Sequence, residues 1–218
     1  MNSMFSACRA LTTIPQLNTS NVTNMHQMFN NCPSLIAIPQ LDTSNVTDMR
    51  EMFNYCTALT SIPQLDTSKV TKMSGMFSSC NALTSIPQLD TSNITNMSSM
   101  FSACRALTGV PLLDTSKVTN MSNMCWYCEK LTTVSALNVD KVTDMTNMFY
   151  NCPKLKSVLM TNIGANLNIS ASTQFERSDL LVILNNLKTV TSTKTLTMGA
   201  ENLAKLTDED KAIATNKG

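Results

Sequence analysis

A right-handed α/β repeat solenoid is the fold class this sequence predicts, and three observations carry the prediction. Leucine recurs at every 24th position from Leu11 to Leu155. Cysteine keeps the same period from Cys8 to Cys152, and two methionine columns run in phase with it, from Met1 to Met145 and from Met4 to Met148. A phenylalanine column runs from Phe5 to Phe149 and is broken only by Cys125. Five columns in register over residues 1–155 are the signature of stacked units, each too small to bury its own apolar face.

One unit, residues 83–106, reads LTSIPQLDTSNITNMSSMFSACRA. Its opening, Leu-Thr-Ser-Ile-Pro, is predicted to be a short strand. The proline column (Pro15, Pro39, Pro63, Pro87, Pro111) lacks a backbone donor and is placed where the strand ends. Asp90-Thr91-Ser92-Asn93 carries turn chemistry, with a side chain able to bond nearby backbone N–H groups. From Ile94 to Cys104 the apolar spacing becomes three or four, which predicts one or two turns of α- or 3₁₀-helix with Thr95 as N-cap.

Composition narrows the function classes. The chain has 218 residues, 16 Lys+Arg against 15 Asp+Glu, and a net charge of +1. That balance argues against a nucleic-acid groove, which needs clustered cations. No apolar run approaches the roughly 18 residues of a membrane span, so membrane insertion is not expected. The N-terminus has neither the basic nor the apolar region of a secretory signal.

The motif L-T-S-I-P…V-T-x-M-x-x-M-F-x-x-C, repeated through residues 1–160, resembles the BspA-like leucine-rich repeats. It is closest to the variant found in mycoplasmal and gut-bacterial surface proteins. The tail from Thr195 to Gly218 also looks like the closing segment of such proteins. The resemblance implies a leucine-rich-repeat solenoid acting at a bacterial surface, or in a phage particle that binds one, and it implies no catalytic residues.

Two regions are expected: the repeat solenoid over 1–160 and a C-terminal capping region over 161–218. Within the cap, residues 163–170 and 194–198 read as strands. Residues 178–187 read as a helix capped by Ser178, with Leu180, Leu181, Leu184 and Leu187 on one face. Thr207 and Asp210 form a capping box for a last helix, which Gly218 would end. Met1 already occupies a core column, so the first coil is expected to be covered by preceding sequence or by a partner.

Several residues mimic chemistry. Cys125-Trp126-Tyr127-Cys128 matches the C-x-x-C of redox and zinc sites, yet both cysteines fall in core columns and no second ligand pair completes a metal site. The cysteine ladder is expected to stay as buried free thiols, because in-register side chains point the same way. The Asx column (Asn18, Asp42, Asp66, Asp90, Asp114, Asn138) is expected to bond its own turns. His26 is the one histidine, and no nucleophile elbow accompanies it. No cofactor and no metal are therefore expected.

Binding candidates are the aromatics that break the pattern: Tyr55, Trp126, Tyr127 and Tyr150. Trp126 and Tyr150 share one exterior column, and Tyr55 and Tyr127 share the next. Rigid amphipathic rings make good anchors, although these could instead pack beneath the capping region. The second candidate surface is the strand face, with Ser61, Gln64, Ser85 and Gln88. The expected function is non-enzymatic recognition of a protein or glycan on a host or bacterial surface, by a protein at the cell surface or secreted. The alternative is a structural or receptor-binding component of a phage particle or larger surface assembly.

Overall fold

The computed structural model describes residues 1–217 and stacks the repeats in register. Phe5, Phe29, Phe53, Phe77 and Phe101 lie in one file, with ring centroids 5.6–6.0 Å apart and planes within 7° of parallel. At that separation parallel rings are offset, the arrangement the ring quadrupole favours. The cysteines are equally aligned. Cys56, Cys80 and Cys104 each donate to the carbonyl of a phenylalanine one coil earlier, Phe29, Phe53 and Phe77 respectively, at 3.1 Å. Both methionine columns are fully buried from Met25 through Met124, and one continuous apolar core runs through every coil.

The segment expected to be helical is instead a pair of tandem turns. In the second coil Met28 N–H donates to Met25 C=O at 3.1 Å, closing a first turn with Gln27 third; the second turn, closed in the third coil by Cys56 N–H to Phe53 C=O at 3.0 Å, has Tyr55, the counterpart of Asn31, third. The intervening donors go elsewhere: Gln27, Phe29 and Asn31 N–H bond Arg50, Met52 and Asn54 C=O of the next coil at 2.7–2.9 Å. Gln27 and Asn31 have φ of 56° and 58°, and every following coil repeats this left-handed pair, as at Glu51 and Tyr55. A left-handed third residue is what a type II-like turn requires. Two four-residue turns produce the same three-or-four spacing as a helix, so the apolar spacing alone does not separate the two. The coil spacing decides between them. Packed helices need axes about 8–10 Å apart, whereas these rings repeat at 5.6–6.0 Å.

Regular strand appears only where proline leaves. β1 (Thr133–Asn138) and β2 (Ser157–Thr161) pair in parallel, and their proline-column positions are Ser135 and Leu159. In the coils with Pro15 to Pro87 the expected strand does not form, because proline cannot donate to the ladder. Their parallel contact lies instead at the position before the buried methionine, through the bridges Asn24↔Asp48, Asp48↔Lys72 and Asn96↔Asn120.

The C-terminal segment packs its apolar side chains into the same core. α1 (Arg177–Asn185) buries Leu180, Ile183 and Leu184 and packs against β2. Its N-cap is Glu176, in a capping box with Asp179, rather than Ser178. The two expected strands shrink to the short parallel pair β3 (Leu167–Asn168) and β4 (Leu196–Thr197). A one-turn helix α2 (Ala200–Leu203) follows, then α3 (Asp208–Thr215) with the expected Thr207–Asp210 capping box. Arg177 reaches from α1 to Asp210 of α3 with two bonds of 2.8 Å. Gly218 lies outside the described residues.

Burial governs the thiols. It pushes Cys56 and Cys152 up to about 12 and raises Cys80 and Cys104 well above the ordinary value, because a thiolate there would lose its hydration. All eight cysteines are free, and Cys8 alone is exposed. Phe77→Ala, which removes a ring stacked on both sides, should cost about 3–5 kcal/mol in urea denaturation. A thiol reagent should label Cys8 in the native protein and all eight cysteines only after unfolding. Because the folded state holds these protons more tightly, stability should fall as pH rises from the ordinary thiol value of 9.0 towards about 12.

Candidate functional site

Trp126, Tyr127 and Tyr150 meet on the outside of the solenoid. Trp126 and Tyr127 ring centroids are 4.1 Å apart and tilted by 54°; Tyr127 and Tyr150 are 5.7 Å apart and tilted by 47°. The tandem turns place them. Tyr127 is the left-handed residue of its second turn, with φ of 56°. Its N–H donates to Tyr150 C=O at 2.8 Å, and Trp126 C=O accepts from Ala103 N–H at 2.6 Å. The backbone beneath the rings is thus pinned to the coils on both sides. Trp126 and Tyr127 are half-buried, whereas Tyr150 keeps 47% of its surface exposed, so the cluster is not sealed under the C-terminal segment. Beside it, Arg105 and Glu129 form an exposed ion pair at 3.0 Å.

Tyr55 does not join this group. It occupies the same column as Tyr127 but stands three coils away, 54% exposed, with small or polar residues Ser79 and Ala103 between.

The strand face differs from its expectation. Gln64 and Gln88 are exposed, yet their amide donors are already used. Gln64 Nε2 donates to Gln88 C=O at 2.6 Å, and Gln88 Nε2 to Leu112 C=O at 2.5 Å. Gln16 and Gln40 repeat the bond at 2.7 Å. The column therefore ties each coil from Gln16 to Gln88 to the next and spends its amide donors in doing so. Ser61 and Ser85 lie exposed on the same face.

The Asx column bonds its own turns. Asp42 Oδ1 accepts from the Ser44 hydroxyl at 2.7 Å and the Ser44 N–H at 3.1 Å, and Asp66 does the same with Ser68. These bonds hold both carboxyls below the usual carboxylate range. A second Asx column was missed in the sequence. Asn24, Asp48, Asn96, Asn120 and Asp144 each accept from the N–H two residues on. Its signal is an Asx directly before each of Met25, Met49, Met97, Met121 and Met145. Asp48 is the buried case: burial raises its carboxyl, but the Arg50 guanidinium at 2.6 Å and the Arg50 N–H outweigh this and leave it lowered.

Cys125 and Cys128 are both fully buried in core columns. The neighbouring Cys128 side chain, followed by burial, raises the Cys125 thiol, the opposite of an activated redox cysteine. Among the described residues, no group of three or more His, Cys, Asp or Glu side chains is placed to hold a metal ion. Among the described residues no helix is long and apolar enough to cross a membrane.

A leucine-rich-repeat protein from T. pallidum superposes with a TM-score of 0.62 at 19% identity, covering 86% of each chain, and this likeness shows the fold. A leucine-rich cell surface protein from Faecalibacterium prausnitzii is 26% identical over 61% of this chain and 34% of its own, with a TM-score of 0.40. None of the curated proteins compared matches. The family model described as "Mycoplasma protein of unknown function, DUF285" matches residues 1–109 and again 57–165. The chain belongs to this family, of the BspA-like leucine-rich-repeat kind.

Proposed function

We propose that the protein is a non-enzymatic recognition module at a cell surface or in secreted form, and that a protein or glycan on another surface seats on Trp126, Tyr127 and Tyr150. The aromatic cluster carries this reading. An interior of near-identical coils needs no aromatic residue outside, and the five other coils hold Ser, Asn or Ala at every equivalent position except Tyr55. Half-exposed tryptophan and tyrosine give up little conformational entropy on binding and bury large apolar area while keeping a polar tip. Their backbone is fixed by inter-coil bonds, so the rings need not be ordered by the ligand.

Residues 161–218 take the role of a cap in this reading, covering the apolar end of the last coil with Leu180, Ile183 and Leu184. Tyr55, Ser61, Gln64, Ser85 and Gln88 are secondary contacts, the glutamines offering only acceptors.

Screening the protein against arrays of envelope glycans and matrix proteins tests the reading. A ligand found there should bind Trp126→Ala or Tyr150→Ala at least about tenfold more weakly, the scale of an interface anchor. The same variants should keep the parent's unfolding midpoint, because the rings lie outside the core. Equal binding by both variants would overturn the assignment of the site.

A further inference from the structure

A cavity of about 230 Å³ opens in the C-terminal segment, away from the aromatic cluster. Its origin is a mismatch in chain length. The stretch 163–167 is tied at both ends. Ile163 N–H donates to Asn186 C=O at 2.9 Å, and its carbonyl accepts from Lys188 N–H at 2.8 Å. At the other end Leu167 N–H donates to Thr195 C=O at 2.9 Å, and Leu167 pairs with Leu196. Three residues separate Ile163 from Leu167, while six separate Lys188 from Thr195. The longer segment bows outward and leaves a gap, and Val190 N–H bonded to Lys217 C=O at 3.0 Å holds the bow against the end of α3.

The floor of the gap is apolar: Ile163, Ala165 and Leu167, with Leu187, Leu196 and Ala214 around them. At its centre Ala165 contributes only a methyl group. Among the described residues the charged side chains of the lining are all cationic, Lys188, Lys194 and Lys217, with no aspartate or glutamate among them. Lys188 is paired with Asp140 at 2.8 Å. The Lys217 ammonium is held by the neutral carbonyls of Asn185 and Leu187 at 2.9 and 2.8 Å, which fix its position and leave its charge in place. Lys194 stands exposed at the rim.

We propose that this cavity binds a small amphipathic anion, a medium-chain alkyl carboxylate whose tail covers Ala165 and whose headgroup lies between Lys194 and Lys217. The size sets the class, because the cavity is smaller than the roughly 300–1,000 Å³ that holds a drug-sized ligand. A bare inorganic anion would leave the apolar floor wet, and a neutral alkane would leave the cations unused. The site is separate from the aromatic cluster and stands or falls independently of it.

Titrating the full chain with octanoate, observed by NMR at Ala165 and Leu167, tests the proposal. Saturable shifts at both residues are expected. Octylammonium, which has the same tail with the opposite charge, should bind at least tenfold more weakly, and hexanoate on the order of tenfold more weakly for its two lost methylenes. Ala165→Phe should abolish binding by filling the gap. Lys194→Glu, at an exposed position that does not bear on folding, should weaken octanoate at least tenfold, while Trp126→Ala should leave it unchanged. Absence of saturable shifts in the parent, equal affinity for octylammonium, or unaltered binding by Lys194→Glu would overturn the proposal.

Discussion

Every coil is bonded through its backbone to the coil on either side, at a spacing of 5.6–6.0 Å where the phenylalanine rings report it. That spacing dictates the rest. It leaves no room for helices side by side and forces tandem turns with left-handed third residues. It puts each side chain on its own copy, so the interior is specified column by column. Phenylalanine gains offset stacking there, and methionine, unbranched and adaptable, fills the remaining width without strict shape. Polar side chains join the same scheme: Thr47, Thr71 and Thr119 hydroxyls and the glutamine amides all donate to a carbonyl one coil away.

The core was legible in the sequence because a buried column tolerates little variation, and the period exposed it at Leu, Cys, Met and Phe alike. Local structure was less so. The spacing from Ile94 to Cys104 suits either a helix or two turns, and only contact with the next coil separates them. Thr-Ser-Ile-Pro has strand composition, yet each proline removes a donor the ladder needs, and strands form where Ser135 and Leu159 replace it. The glutamines looked available because their partner carbonyls lie 24 residues along the chain. The cap of α1 fell on Glu176 because a reciprocal bond with Asp179 was open to it.

The aromatic cluster was legible as a set of exceptions, and its assembly followed from the columns: positions 126 and 150 are one coil apart, and 127 is adjacent. Tyr55 shared the column without sharing the place, since a column fixes the face of the solenoid but not the height along it. The cavity by Ala165 had no counterpart in the sequence. It arises from unequal chain lengths between two backbone ties, and nothing in the residues from Thr189 to Lys194 announces that they bow outward.

The proline column has a consequence for how such a chain avoids joining others. A coil side that carried a full set of strand donors would invite a foreign strand to pair along its open end. With Pro15 to Pro111 in place, that side offers an interrupted ladder, and the bonding that holds the stack together is moved to the turns. There the left-handed residues impose a backbone shape that an extended intruder does not share. Cohesion within the stack and indifference to passing chains thus come from the same backbone choice.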